Sequence, residues 1–282
     1  MQFFRGICAA AALLFGSVQA ADTAQPPAED DGNFWLNQGL AYENGDGVEI
    51  DYAKAAECYG NASLRGNAEA MNNLGIMYLQ GVGVEKSAEA AIKLFQASFD
   101  LGYAPAARSL GFVYKQGLGV PIDQERAAHY FGMSASSGDA FSMNELGVLM
   151  QAQSDEAGYK SAADWFAKAA AAGNFYAQYN LAYLFKEGKG VEKNPVRYAE
   201  LLRMAAEQGF SLAQHDLGAA YGAGEGVEKD RVEMYAWLTA AGVSLPDSLE
   251  YRAMLAQVLK PEEIEAGEKK GKDYIEKYGS HQ

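Results

Sequence analysis

The chain repeats itself with a period of about 36 residues, and this periodicity constrains the fold more than any other feature. A glycine that mostly follows a leucine marks each copy. It returns at spacings of 36 residues, with one spacing of 35 and one replacement by alanine, at Gly39, Gly75, Gly111, Gly147, Ala182 and Gly218. One unit of this length cannot bury its own apolar face, so consecutive units must stack. The sequence therefore predicts a solenoid.

Each unit is predicted to be a pair of helices. In residues 67–102, Met71, Leu74 and Tyr78 have the spacing of one helix face, and a second apolar face follows further on. Between them lies Gly81-Val-Gly-Val84, whose glycines can take the positive φ that a chain reversal requires. The same loop returns at residues 45–48, 117–120, 188–191 and 224–227.

These motifs resemble the Sel1-like repeat family, which is related to tetratricopeptide repeats. The matching positions in the first half of a repeat are Leu74, Gly75, Tyr78, Gly81, Gly83 and Val84; those in the second half include Trp165, Lys168, Ala169, Ala170 and Gly173. The resemblance implies an all-α fold: a right-handed superhelical solenoid of about six antiparallel helix pairs over residues 33–243. Residues 244–282 are expected to form C-terminal capping helices. Their lysines are expected either on a solvated face or in a patch for a membrane surface or an anionic partner: Lys269, Lys270, Lys272 and Lys277.

The N-terminus has the pattern of an export signal. Residues 1–20 contain one basic residue, Arg5, then an apolar run from Ile7 to Val18, then a small-residue cleavage motif ending at Ala20. The sequence predicts cleavage near Ala20 and a periplasmic or secreted protein without stable membrane insertion; a retained membrane anchor is the alternative. Residues 21–32 are predicted to be a flexible acidic leader.

Loss of the signal would leave one cysteine, Cys58, and thus no intrachain disulfide. Cys58 occupies a second-helix position that holds tryptophan in other repeats, which favours a small buried apolar residue over a reactive thiol. Family members that carry cysteine pairs and are linked to β-lactams differ from this chain in that respect. In repeat four, a polar segment at residues 150–159 replaces the glycine loop, either as a tolerated variant or as a mobile, protease-sensitive or partner-contacting segment.

Charge and motifs exclude several classes of function. With 37 acidic and 23 basic residues the net charge is −14, which disfavours nucleic-acid binding. The three histidines have no companion at metal-ligand spacing, and no strand precedes a glycine loop that could hold phosphate. The sequence predicts no catalytic residues, no metal, no cofactor and no enzymatic activity.

What remains is a surface. If Leu74 and Tyr78 face the core, the stripe that includes Asn72 points toward the concave groove that the first helices of stacked pairs would line. The candidate partner-binding residues on this stripe are Asn72, Arg108, Phe112, Lys115, Phe141, Asn144, Tyr176, Tyr179, Tyr183, Lys186 and His215. Aromatic residues with arginine are typical of binding hot spots, although helix rotation could instead bury these rings between repeats.

The sequence therefore favours a monomeric protein-interaction scaffold, adaptor or regulator that docks a protein or peptide segment in its groove. The family resemblance implies an envelope sensor, or a secretion or cell-wall component, as the partner. A cell-wall-associated enzyme or glycan-binding protein related to β-lactams or peptidoglycan is the alternative. Replacement of Tyr179 and Tyr183 by alanine is expected to abolish capture of the partner without changing the melting curve.

Overall fold

A computed structural model describes residues 32–279 of the chain. The predicted signal at residues 1–20, nearly all of the predicted leader, and His281 lie outside the described residues. The described part forms fourteen α-helices and no strand, and it divides into two compact units, up to Ser137 and from Gly138 onward. No helix among residues 32–279 combines the length and the hydropathy that crossing a bilayer requires.

The first unit contains three helix pairs, which we number as repeats one to three. Its helices are α1 (Asn33–Asn44), α2 (Tyr52–Leu64), α3 (Ala68–Gln80), α4 (Ala88–Asp100), α5 (Ala104–Gln116) and α6 (Gln124–Ser136). Each odd-numbered helix packs on the even-numbered helix that follows it, and each pair packs on the next pair.

The second unit continues the pattern with repeats four to six and two further helices. Its helices are α7 (Ala140–Gln151), α8 (Glu156–Ala171), α9 (Phe175–Glu187), α10 (Pro195–Ala206), α11 (Ser211–Ala223), α12 (Arg231–Ala241), α13 (Pro246–Ala256) and α14 (Pro261–Tyr278). The last two lie where the sequence predicts helices after residue 244. The rings of Trp237 on α12 and Tyr274 on α14 are stacked, with their centroids 4.2 Å apart, so α14 packs on the final repeat.

Short-range hydrogen bonds fix both ends of the helices. The second helix of every repeat starts after a residue whose side chain accepts a hydrogen bond from a backbone N–H of the first turn; Asp51 accepts from Lys54, for example. The first helices of repeats one, two, three, five and six end at a left-handed glycine, as at Gly81 with φ of 76°. These are the caps that the loop glycines predict.

The marker glycines allow the two helices of a repeat to approach closely. A Cβ atom on Gly75 would lie 2.6 Å from the Phe95 ring, and one on Gly111 would lie 2.6 Å from the Phe131 ring. Gly39 and Gly147 face Tyr59 and Phe166 in the same way. Each glycine therefore makes room for a buried aromatic ring on the second helix.

Repeat five departs from this pairing. Its marker position holds Ala182, and Leu202 occupies the place of the aromatic ring. Both residues are completely buried. The added methyl group on one helix is thus matched by the smaller side chain on the other, which conserves volume in the core.

The second glycine of the loop lies against the preceding repeat. A Cβ atom on Gly83 would approach the Tyr52 carbonyl oxygen to 2.2 Å, and one on Gly226 would approach the Pro195 carbonyl oxygen to 1.8 Å. Both glycines also have positive φ, 70° and 73°. Glycine is required here for conformation and for close packing at once.

Repeat four reverses the chain differently. Within the polar segment, the loop between α7 and α8 is only four residues long, from residue 152 to residue 155. Ser154 in this loop has a positive φ of 59°. The Asp155 carboxylate accepts a hydrogen bond from the backbone N–H of Gly158 at 2.6 Å and caps α8. Residues that form the loop elsewhere have become the first turn of a longer helix.

Candidate functional site

The three tyrosines on the first helix of repeat five lie on one face of α9. The Asn174 side chain accepts a hydrogen bond from the backbone N–H of Ala177 at 2.8 Å and starts the helix. Tyr176, Tyr179 and Tyr183 follow at spacings of three and four residues, which place them on neighbouring turns. Tyr176 is 43% exposed, whereas Tyr179 and Tyr183 are half-buried.

Two of these tyrosines converge on a carboxylate of the next repeat. The hydroxyl groups of Tyr179 and Tyr183 donate hydrogen bonds to the same oxygen, Oδ2 of Asp216 on α11, at 2.8 and 2.7 Å. Hydrogen bonds to an ionised acceptor are stronger than neutral ones, so this contact links the first helices of repeats five and six.

Further aromatic rings pack against the two tyrosines that bond to this carboxylate. The ring centroid of Tyr179 lies 5.0 Å from that of Tyr183 and 5.2 Å from that of Phe210. The ring centroids of Tyr183 and of Tyr198, on α10, are 5.9 Å apart. We call Tyr179, Tyr183, Tyr198, Phe210 and Asp216 the Asp216 cluster. Tyr176 extends it toward solvent, with its ring 5.3 Å from Phe210. The cluster joins both helices of repeat five to the start of repeat six.

Lys186 borders the cluster and is held by other groups. Its Nζ donates a hydrogen bond to the hydroxyl of Tyr198 at 3.2 Å and lies 3.6 Å from a carboxylate oxygen of Glu225. The same ammonium lies over the Tyr198 ring at 4.7 Å and over the Tyr183 ring at 5.5 Å. The only cation that the cluster contacts among the described residues is therefore paired with Glu225.

Burial keeps the hydroxyl groups of the cluster protonated. It raises the pKa of Tyr183 to about 12, and the nearby Asp216 carboxylate adds to the rise. The pKa of Tyr179 is raised further, again mainly by burial and then by hydrogen bonds with Tyr183 and Asp216. Both phenols therefore remain protonated hydrogen-bond donors at neutral pH.

The link between α9 and α11 is one case of a recurring contact. The contact joins the first helices of two consecutive repeats in three places. One partner lies three residues before the marker position of its repeat, and the other lies two residues before the marker position of the next repeat. Ser109 Oγ donates to Asn72 Oδ1 at 2.9 Å, and Asn180 Nδ2 donates to Asn144 Oδ1 at 3.0 Å. Asp216 and Tyr179 are the third pair. Asn72 and Asn144 are buried by this contact, at 5% and 4% exposure.

The other candidate residues are not members of the Asp216 cluster. On α5, Arg108, Phe112 and Lys115 are half-buried, and the Phe112 ring meets the Phe131 ring edge-on at 5.6 Å. Phe141 is half-buried on α7. His215 lies on α11, where its Nδ1 is 2.8 Å from the hydroxyl oxygen of Ser248.

The helix-face pattern of the sequence does not single out Asp216, Tyr198 or Phe210. Asp216 lies about one repeat after its two tyrosine partners, the same offset that joins Ser109 to Asn72. The sequence signal that points to Asp216 is the pairing of polar residues about one repeat apart, and a single helix face does not contain it.

Cys58 is buried, as its position predicts. Burial raises the pKa of its thiol to about 11, and the negative charge of Glu57 adds to the rise. A protonated, buried thiol is a poor nucleophile. Among residues 32–279, no group of three or more histidine, cysteine, aspartate or glutamate side chains is arranged to hold a metal ion.

The family profile of the Sel1 repeat matches six successive segments, at residues 38–67, 68–103, 104–139, 140–174, 175–210 and 211–242. The chain belongs to the Sel1 repeat family. Proteins of this family are generally protein-interaction scaffolds without enzymatic activity. No curated protein sequence matches the chain significantly.

Solved structures agree with this assignment. The chain is similar to c5321, a protective antigen of uropathogenic Escherichia coli strains with an SLR fold, at 33% identity and a TM-score of 0.82. The match covers 88% of this chain but only 54% of that protein, so the chain spans about half of its length. A Sel1 repeat protein from Oxalobacter formigenes follows, with 24% identity, a TM-score of 0.69, and coverage of 77% and 88%.

A more distant likeness concerns the fold alone. The immunity protein Pa5087 from Pseudomonas aeruginosa is 21% identical, with a TM-score of 0.50 and coverage of 81% of this chain and 90% of that one. All three neighbours support a fold of stacked helix pairs.

Proposed function

We propose that the chain is a scaffold or adaptor that docks a segment of a partner protein on the first helices of repeats five and six. The Asp216 cluster, with Tyr176 beside it, is the part of this surface that we assign to the contact. The observation that carries the proposal is the combination of partly exposed rings with a half-buried carboxylate in one place.

This combination suits a protein partner. Tyrosine offers a large, rigid contact area together with a polar group, and tyrosine is enriched among the residues that dominate binding energy. The rings of Tyr179 and Tyr183 are already fixed by their bonds to Asp216 and by Phe210. A surface that is ordered before binding loses less conformational entropy when a partner arrives.

Site-specific photocrosslinking tests the docking surface. The photoreactive residue p-benzoylphenylalanine replaces Tyr176, which is exposed and makes no hydrogen bond within the described residues. The matched control replaces Met204, which is 46% exposed on α10 of the same repeat. Irradiation of intact cells is expected to give one discrete adduct from position 176 and none from position 204, with the adduct identified by mass spectrometry.

Equal adducts at both positions would indicate random collision, and an adduct from position 204 alone would move the contact to the second helices. Either result contradicts the proposed surface. The other candidate positions, among them Arg108, Phe112 and Phe141, serve as further crosslinking sites that define how far the contact extends along the first helices.

We also propose that the scaffold acts outside the cytoplasm. The support is the charged, apolar and small-residue pattern of residues 1–20. The N-terminal sequence of the protein recovered from the periplasm or the medium is expected to start near Ala21. Full-length protein in the membrane fraction would contradict this part of the proposal.

A further inference from the structure

The Asp216 carboxylate has acceptor capacity that the fold does not use. Both tyrosine hydroxyls bond to Oδ2, and no hydrogen bond reaches Oδ1 from any described residue. No lysine, arginine or histidine within residues 32–279 forms an ion pair with Asp216. A half-buried carboxylate of this kind gains more from a cation than an exposed one, because solvent screens the pair less.

The rings around Asp216 are suited to a cation as well. The face of a tyrosine ring attracts cations, and Lys186 already lies over Tyr183 and Tyr198. In the described part of the chain no cation lies over the ring of Tyr176, which is exposed, or over the ring of Tyr179, which is half-buried. The molecule therefore contains both an occupied and an unoccupied version of the same contact.

We propose that the Asp216 cluster binds an arginine side chain of the partner segment, with the guanidinium paired to Oδ1 of Asp216 and stacked on the Tyr179 ring. A planar guanidinium can satisfy a carboxylate through its edge while its face lies on an aromatic ring, which an ammonium cannot do. The net charge of −14 favours approach of a basic segment. This inference rests on the proposed function, because it names the chemistry of the docked segment.

Two small probes test the contact without knowledge of the partner. Nα-acetyl-arginine amide carries the guanidinium, and Nα-acetyl-citrulline amide has nearly the same shape without the charge. Each is titrated into purified protein with ¹³C-labelled tyrosine rings, whose signals are assigned with Tyr179→Phe and Tyr183→Phe. We expect saturable shifts of both rings with the arginine probe and about 3- to 30-fold weaker binding of the citrulline probe.

A matched pair of variants locates the charge. Asp216→Asn keeps the size and the acceptor oxygen but removes the charge, and it is expected to weaken binding of the arginine probe by about 5-fold or more. Asp164→Asn makes the same change at an exposed position on α8 and is expected to leave binding unchanged. Circular dichroism shows whether each variant is folded, and the comparison of the two probes on unaltered protein remains decisive if Asp216→Asn unfolds.

Equal binding of the two probes, or equal weakening by the two variants, would overturn the arginine site. These outcomes are separable from failure of the docking surface. An adduct at position 176 without selective arginine binding would leave the surface in place and remove only its preference for arginine. Selective arginine binding without an adduct would support the arginine site and contradict its use in partner capture.

Discussion

Repeats two and five follow the same plan but use their first helices differently. In repeat two, Gly75 makes room for the Phe95 ring, and Asn72 is buried in a bond with Ser109. In repeat five the marker glycine is Ala182, and the position of Asn72 is taken by Tyr179, whose ring stays partly exposed while its hydroxyl bonds to Asp216.

The difference separates two classes of position. Marker positions respond to the partner helix within the same repeat: in repeats one to four a glycine lies against an aromatic ring, and in repeat five an alanine goes with a leucine. In repeat six, Gly218 lies near Leu238 and the Cβ atom of Trp237 instead of an aromatic ring. Positions that join consecutive first helices keep their hydrogen bond but accept side chains of very different size. Repeat five is therefore a regular structural unit that carries an individual surface.

The largest loss of stability is expected for Tyr179 and Tyr183, whose rings are part of the surface of repeat five and also pack within it. The sequence predicts that Tyr179→Ala with Tyr183→Ala leaves the melting curve unchanged. The ring contacts and the bonds to Asp216 lead us to expect instead a loss of about 2–4 kcal/mol in the free energy of unfolding, measured with urea. Tyr176→Ala is the control, with a change of about 0.5 kcal/mol or less. An unchanged midpoint in the double variant would restore a purely partner-binding role.

The marker positions provide the next test. Gly75→Ala pushes a methyl group into the Phe95 ring and is expected to destabilise the protein by about 1–3 kcal/mol. Ala182→Gly in repeat five should cost about 1 kcal/mol, since it removes a methyl group and loosens the helix backbone. Gly132→Ala, at a helical glycine where an added Cβ meets no atom within 4 Å, should instead stabilise by about 0.5–1 kcal/mol. Similar Tm values for Gly75→Ala and Gly132→Ala would refute the ring-pocket explanation.

A smaller effect is expected for the hydrogen bonds between first helices. Ser109→Ala leaves the buried oxygen of Asn72 without its donor and should cost about 1 kcal/mol. Tyr179→Phe should cost less, because Tyr183 continues to donate to Asp216. Ser136→Ala, whose hydroxyl bonds only to the backbone of its own helix turn, is the control. A larger loss of stability for Tyr179→Phe than for Ser109→Ala would contradict the compensating role of Tyr183.

The smallest effect is the contribution of Tyr183 in repeat five to the pH dependence of stability. Tyr183 has a pKa of about 12 in the folded chain, against about 10 for an unfolded tyrosine. A raised pKa means that its stabilising effect is complete below pH 10 and is lost as the pH rises toward 12. Unfolding at pH 9 and pH 11 should therefore show a smaller loss of stability for Tyr183→Phe than for the unaltered protein. Identical losses would exclude this tyrosine as a source of the alkaline transition.

Much of the fold could be predicted because the repeat states it several times. The helix ends follow from side chains and glycines at fixed places, such as Asp51 and Gly81, whose effects are local. The helical spacing of Tyr179 and Tyr183 also predicts that they share a face, and their rings lie 5.0 Å apart.

What could not be predicted depends on contacts between repeats. The rotation of each first helix is set by its neighbours, so the burial of Asn72 and Asn144 is a tertiary effect. The role of Asp216 depends on a residue about one repeat away for the same reason. In repeat four, the sequence indicates that the glycine loop is lost, but not that α8 lengthens to replace it.

In three of the regular loops the second glycine lies against the backbone of the preceding repeat: Gly83 against Tyr52, Gly190 against Tyr159 and Gly226 against Pro195. Repeat five shows both sides of this contact, because its own Gly190 lies against repeat four and its Pro195 receives Gly226 of repeat six. Tandem duplication or deletion of a whole regular repeat in the gene would preserve this contact. Insertion or deletion of only a few residues would disrupt it. Such proteins can therefore diversify in length by copying, and in partner by substitution at positions such as that of Tyr179.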